Sequence, residues 1–224
     1  MALGTALFLQ AFTSLFSGAA LFDPLVDKSD VGKTLRAIAD HAFRAKLSVF
    51  LDIVTAIAIV WLAVLLFRLV REAGPVCAGT ALALYVLEAS ALVTCKFITY
   101  ALILTGGIYS ATGDMALEAT GQLLIQMKSF TYNIHVFICG VGAVLFYYLL
   151  FKTRALPSWI PLWGLITMVP VMVGVALMAY GVNVPFLVMV PYVPFEFFTG
   201  AYILVAGLSS RAPAMGVSNA ASAV

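Results

Sequence analysis

The chain has 224 residues, of which 63% are hydrophobic and 10% are charged. Soluble domains carry about 25% charged residues, so this chain has too few charges to cover a surface that faces water. The formal net charge of +2 and the absence of a basic tail argue against nucleic acid as a partner.

Six apolar stretches follow one another along the chain. Each is near the roughly 20 residues that a helix needs to cross a bilayer, and none alternates in polarity as the strands of a membrane barrel do. The sequence therefore predicts an all-α, polytopic membrane protein with a single bundle of about six transmembrane helices. The stretches run approximately over Leu3 to Phe22, Lys46 to Phe67, Pro75 to Tyr100, Phe130 to Phe151, Ile160 to Tyr180 and Pro185 to Leu208.

The two ends of the chain are assigned from composition. The stretch from Met1 to Phe22 lacks the Lys/Arg region that begins a signal peptide, so it is expected to be the first span. Residues 1–208 are predicted to form the transmembrane domain, and residues 209–224 a small, polar C-terminal tail.

Two connections between the stretches are long. In the first, from Asp23 to Arg44, Leu35 and Ile38 belong to a helical repeat that predicts an amphipathic helix at the membrane interface. The second is expected to run from Gly106 to Lys128, to begin at the Gly106-Gly107 pair and to contain a short helix of its own.

The distribution of positive residues bears on orientation. Six spans put both termini on one side, and Lys and Arg near span ends favour the cytoplasm. Both termini are therefore predicted to be cytoplasmic, although Lys28, Lys33 and Arg36 in the first long connection leave the reverse orientation open. The residues on the terminal side are Arg68, Arg71, Lys152, Arg154 and Arg211, with Glu72 the acidic one, and Tyr147, Tyr148, Trp159 and Trp163 are expected to form an aromatic belt near a boundary.

Four ionisable residues lie within the spans: Asp52, Glu88, His135 and Glu196. Such groups cost free energy in a bilayer, about 2.5–3.5 kcal/mol at a helix centre, and are the default candidates for function. On the predicted topology all four fall in the outer half of the bundle. Tyrosines three or four residues away share their helix faces, and we expect these stripes to line one polar pocket. The tyrosines are Tyr85, Tyr132 and Tyr192, and the rim of the pocket is expected to contain Arg44, Lys46 and Lys96.

Proline crowds the outer half of the last stretch, at Pro185, Pro191 and Pro194. An interior proline breaks a helix, and broken spans often line binding sites. The regular part of the last helix is expected to begin near Pro194. The alternative for the prolines is a simple kink, and the alternative for the four ionisable residues is hydrogen bonding between packed helices.

Catalytic and metal-binding patterns are missing from the sequence. The three cysteines, Cys77, Cys95 and Cys139, form no Cys-x-x-Cys pair, and no nucleophile elbow, zinc-binding helix or phosphate-binding loop is present. No catalytic residue and no metal ligand is therefore predicted, and the sequence leaves the question of a cofactor open.

Several short stretches resemble a known bacterial membrane family, the domain of unknown function DUF 4386. The resemblance covers roughly Leu3 to Leu208 and is most specific from Tyr147 through Leu156-Pro157-Ser158-Trp159 to Leu165, although the family often has Arg where Ser158 stands. It implies a small six-helix bundle in the bacterial inner membrane and supplies no activity. The other matching residues are Phe43-Arg44, Asp52, Leu87-Glu88-Ala89, His135, Gly140, Gly142, Val190-Pro191, Glu196 and Gly207-Leu208.

The leading functional hypothesis is a non-enzymatic membrane protein that binds or conducts a small molecule or ion through the polar pocket. The competing hypothesis is an accessory subunit of a larger membrane complex, whose charged loops and C-terminal tail contact partner membrane proteins or a second copy of the chain. A third, an intramembrane enzyme that uses His135 with a carboxylate, lacks a nucleophile or metal in the sequence.

Overall fold

The computed structural model describes residues 1–27, 29–188 and 190–208, and the regular structure within these ranges is entirely helical. This confirms the predicted all-α fold. The polar tail predicted over residues 209–224 lies outside the described residues.

Seven α-helices account for most of the described chain, and they are joined mainly by short turns. Five helical segments are long and apolar enough to cross a membrane, and the last helix is a shorter apolar one. The chain is therefore a multi-pass membrane protein. The helices are α1 (Ala2–Leu15), continued by a π-helix (Phe16–Phe22) and a 3-10 turn (Asp23–Leu25), α2 (Val31–Asp40), α3 (Ala42–Val70), α4 (Pro75–Thr112), α5 (Ala116–Thr153), α6 (Trp159–Ala179) and α7 (Tyr192–Ala206).

The long helices form a ring. Going round it, α1 packs on α3, α3 on α4, α4 on α5 and α5 on α6, while α7 packs on α1 and meets α6 more sparsely. Neighbouring helices run in opposite directions, which gives the bundle two ends. We call the end with Met1 and the turns at 71–74 and 154–158 the N-terminal face, and the end with the connections at 23–41, 113–115 and 180–191 the distal face.

Apolar side chains cover the outside of the ring as well as its core. Ile57, Phe97 and Ile166 are between 63% and 71% exposed, and many other large apolar residues face outward. Water would not tolerate so much exposed apolar surface, whereas lipid requires it. The outer surface therefore fits a bilayer.

The connection predicted between Gly106 and Lys128 is wrong. Helix α4 continues to Thr112, α5 begins at Ala116, and only residues 113–115 form the turn. Gly113 takes the left-handed conformation that ends α4, with a φ of 68°. Each helix has 38 residues and is about 57 Å long, well beyond the roughly 30 Å of hydrocarbon. The two helices form a hairpin that projects from the distal face.

Helix α2 packs against this hairpin. The amphipathic helix predicted near Leu35 is present, but Leu35 and Ile38 are fully buried against α4 and α5 rather than against lipid. At the crossing, a Cβ atom on Gly106 would lie 2.8 Å from the carbonyl oxygen of Leu35. Gly106 therefore permits a close helix crossing, and α4 continues through both glycines without a break.

This crossing predicts different effects for the two glycines. Gly106→Ala places its Cβ against the backbone of α2 and should lower the free energy of unfolding by about 1–3 kcal/mol, the usual cost of overpacking. Gly107→Ala meets nothing within 4 Å and should raise stability by up to about 1 kcal/mol through helix propensity. Thermal unfolding in detergent, followed by circular dichroism, measures both. Equal stability of the two variants would contradict the crossing.

Candidate functional site

A central cavity of about 400 Å³ lies within the distal half of the ring. This volume is in the range that holds small molecules, about 300–1,000 Å³. The cavity reaches Asp23 and Met178, which lie at the distal ends of the helical segments, so its opening is on the distal face. Its polar lining consists of Gln10, Ser14, Asp23, Thr55, Glu88, Tyr132, Asn133, His135, Cys139, Tyr192 and Glu196.

Five of the residues predicted to line a pocket share this cavity: Glu88, Tyr132, His135, Tyr192 and Glu196. They come from α4, α5 and α7, and each ionisable residue lies one helical turn from a tyrosine on its own helix. Tyr85, on the turn before Glu88, instead faces a narrow cavity of about 30 Å³ toward the N-terminal face. The two cavities share Gln10, Glu88, Cys139 and Glu196, which form a polar layer between them.

Glu196 is held by hydrogen bonds from helix α1 and from the first residue of its own helix, α7. Its Oε1 accepts from Nε2 of Gln10 at 2.9 Å and from the hydroxyl of Tyr192 at 3.0 Å. Because Tyr192 donates its only proton to Glu196, the neighbouring Tyr147 must donate to Tyr192, at 2.9 Å. This series of hydrogen bonds links α1, α5 and α7 through Oε1 of Glu196.

Glu88 and His135 meet across α4 and α5. The Nδ1 of His135 lies 3.2 Å from the backbone carbonyl oxygen of Glu88, which can only accept, so Nδ1 bears the proton. The same nitrogen is 4.0 Å from Oε1 of Glu88. The other carboxyl oxygen, Oε2, is buried without any hydrogen-bond partner. Glu88 therefore presents an unsatisfied acceptor to the polar layer.

Asp52 is placed differently from its prediction. It does not line the central cavity but pairs with Lys96, with 2.5 Å between Oδ2 and Nζ and both side chains more than nine-tenths buried. Lys96 lies about 32 Å along α4, near the distal end of the bundle, where α4 is enclosed by α3 and α5. Lys96 therefore pairs with Asp52 inside the protein and is not among the residues that line the cavity.

The two other predicted rim residues also lie away from the cavity. Arg44 donates from Nη2 to the carbonyl oxygen of Ala20, at 2.5 Å, and so ties the start of α3 to the π-helical end of the first segment. Lys46 is exposed on α3. Neither side chain lines the cavity.

The sequence reasoning missed Gln10, Tyr147 and Cys139. Gln10 begins a polar stripe on α1 that continues with Thr13 and Ser17, at spacings that put all three on one helical face. The stripe bonds to α3, through Thr13 to Thr55 at 2.7 Å and through Ser17 to Ser48 at 2.9 Å. This stripe contains no ionisable residue, so the cost of ionisable groups in lipid does not single it out in the sequence.

Tyr147 was expected in an aromatic belt beside Tyr148. It is buried and hydrogen-bonded to Tyr192, whereas Tyr148 is 53% exposed. The two neighbours point to opposite sides of α5, so only Tyr148 can face lipid.

The site offers hydrogen-bond acceptors and carboxyl groups. Among residues 1–27, 29–188 and 190–208, no three His, Cys, Asp or Glu side chains converge as metal ligands would. Cys139 reaches the polar layer, and no histidine bonds to its thiol within the same ranges.

Together these features define a multi-pass helical membrane protein with a polar cavity in one half of its bundle. The family model described as a domain of unknown function, DUF4386, matches residues 2–207, and the chain belongs to that family. This confirms the resemblance seen in the sequence. No curated protein and no solved structure matches the chain.

The Asp52–Lys96 pair predicts a large loss on removal of either partner. Lys96→Met or Asp52→Asn leaves one buried group without its partner and should cost about 3–5 kcal/mol of unfolding free energy. The double variant Asp52→Leu with Lys96→Met should recover most of that loss, since no charge then remains. Denaturant unfolding in detergent measures the cycle.

The matched control is the exposed pair of Lys33 and Asp27 near the start of α2, whose Nζ and Oδ2 atoms are 2.8 Å apart. The hydrogen bond from Lys33 lowers the pKa of the Asp27 carboxyl, but the lysine side chain is 69% exposed, so water can replace its partner. Lys33→Met should have little measurable effect. A Lys96→Met variant as stable as Lys33→Met would refute the structural role of the buried pair.

Proposed function

We propose that the protein is non-enzymatic and binds or conducts a small molecule or ion through the central cavity. The observation that carries this proposal is the unsatisfied Oε2 of Glu88, which is buried in the polar layer that bounds a cavity of about 400 Å³. A buried acceptor without a partner costs about 1–3 kcal/mol. A bound ligand that donates a hydrogen bond to Oε2 would remove this cost.

The proposed placement is the bacterial inner membrane, with α7 as the sixth span and both termini in the cytoplasm. Arg68, Arg71, Lys152 and Arg154 flank the spans at the N-terminal face, which supports a cytoplasmic position for that face. The opening of the cavity would then face outward.

The shape of the cavity bears on conduction. On its N-terminal side the polar layer gives way to a cavity of only about 30 Å³, whose walls are largely leucine, such as Leu7, Leu62 and Leu150. This conformation therefore supports access from the distal face alone. Conduction would require a second conformation in which the leucine-lined half opens.

The accessory-subunit alternative receives less support. It relied on the charged connections as contact surfaces for partners. In the structure, α2 is packed on the chain's own α4 and α5, and the second connection is the hairpin on which α2 lies. Both connections therefore make contacts within the chain itself.

Glu196→Gln should abolish ligand binding while the bundle stays folded. The amide keeps the size of the side chain, but its oxygen carries no charge, and it cannot accept at both terminal atoms. Native mass spectrometry of protein gently extracted from its source membrane should show a discrete small-molecule adduct on the unsubstituted protein and none on the variant. Glu72→Gln, an exposed residue at the N-terminal face, is the control and should keep the adduct.

Circular dichroism establishes that the variant remains folded. An adduct kept by Glu196→Gln would contradict the assignment of the cavity. A stoichiometric complex with other proteins and no adduct would favour the accessory-subunit alternative instead.

A further inference from the structure

Buried carboxyl groups inside the bundle outnumber the lysine and arginine side chains that pair with them. Asp52, Glu88 and Glu196 contribute three carboxyl groups, and Lys96 is the one lysine that forms an ion pair with any of them within the described residues. Lys96 is used by Asp52, at 2.5 Å. Glu88 and Glu196 are therefore left without a lysine or arginine partner in the part of the chain that the structure describes, and both face the polar layer.

The lining of the central cavity has one sign. It includes the carboxyl groups of Asp23, Glu88 and Glu196, and no lysine or arginine is among its described residues. A water-poor cleft whose ionisable lining can only become negative favours ligands of positive charge, because a bound cation stabilises the ionised carboxyl groups. The lining therefore favours cations over anions.

The rest of the lining indicates the chemical character of the cation, apart from its charge. Two tyrosine rings, Tyr132 and Tyr192, border the cavity, and aromatic faces attract cations within about 6 Å. Much of the remaining wall is apolar, for example Met168, Val171 and Val175. A bare metal ion would need several oxygen ligands in place of this wall, and no such cluster converges among the described residues.

An independent observation indicates that a ligand group is missing. Glu88 is 3% exposed, and its Oε2 has no hydrogen-bond partner among the described residues. A buried oxygen without a partner is costly, and an ionised Glu88 would also lack a counter-charge. A positive group in the polar layer would supply what Glu88 lacks.

We infer that the central cavity binds an organic monocation, a substituted ammonium with an apolar or aromatic body, whose charge lies between Glu88 and Glu196. This inference rests on the proposed function and specifies its ligand class. The body of the cation packs against the apolar wall formed by α5 and α6, and the tyrosines border the charged end. Asp23, at the distal opening, adds attraction along the path of entry.

Isothermal titration of the purified protein in detergent with three matched probes tests this. The probes are phenyltrimethylammonium, its uncharged isostere tert-butylbenzene, and benzenesulfonate as an anion of similar size. We expect phenyltrimethylammonium alone to bind, and we expect Glu88→Gln and Glu196→Gln each to weaken it at least about tenfold. Glu72→Gln should bind it as the unsubstituted protein does, and the unfolding temperature of every variant shows whether it is folded.

The outcomes separate this inference from the proposed function. Equal binding of tert-butylbenzene, or any binding of benzenesulfonate, would overturn the cationic class while leaving the cavity as a binding site. Failure of all three probes alongside an adduct in native mass spectrometry would overturn it in the same way. Failure of all probes with no adduct would overturn the proposed function as well.

Discussion

The structure depends on one requirement, that polar groups enclosed in the bundle find partners inside the protein because lipid offers none. Most of these partners lie on a neighbouring helix of the ring. Thr13 and Ser17 of α1 bond to α3, His135 of α5 bonds to a carbonyl of α4, and Gln10 of α1 bonds to Glu196 of α7. Each bond joins helices that are adjacent in the ring. Hydrogen bonding and helix order are therefore consistent with each other, as expected of a sequence that specifies one packing.

The short last helix gives the cavity its opening. Helix α7 begins at Tyr192, with Pro191 as its N-cap and Pro194 within its first turn. The first N–H groups of a helix have no partner within it, so proline costs little there. With only 15 residues, α7 spans about 22 Å and ends short of the full hydrocarbon thickness at the distal side. A helix extended beyond Tyr192 toward the distal face would have closed the ring there. Because α7 begins at Tyr192, this residue and Glu196 border the open cavity instead.

Sequence reasoning succeeded where one physical rule dominates and failed where two rules compete. The apolar length of each span was enough to predict the bundle, and the cost of ionisable groups in lipid singled out Glu88, His135 and Glu196, which lie along one cavity. Gly106 was misread because glycine both interrupts helices and permits close crossings, and only the neighbour Leu35 decides between them. The sequence did not predict the pairing of Asp52 with Lys96, because the distance between two helices cannot be read from spacing along one helix.

Under the proposed function, a bound ligand and a conducted one would both contact the polar layer. Gln10, Glu88, Cys139 and Glu196 border both the wide distal cavity and the narrow leucine-lined one, so any species crossing the bundle must pass them. A ligand binds at this layer only if its interactions with the protein offset the hydration it loses. It dissociates readily only if those interactions are not much stronger than that. The narrow cavity beyond the polar layer is bordered by leucines such as Leu7, Leu62 and Leu150, and its polar lining is limited to groups such as Thr199, whose hydroxyl is buried. Under the proposed function, the packing of these leucines would decide whether a bound species could cross the bundle, and the polar layer would select the ligand in both cases.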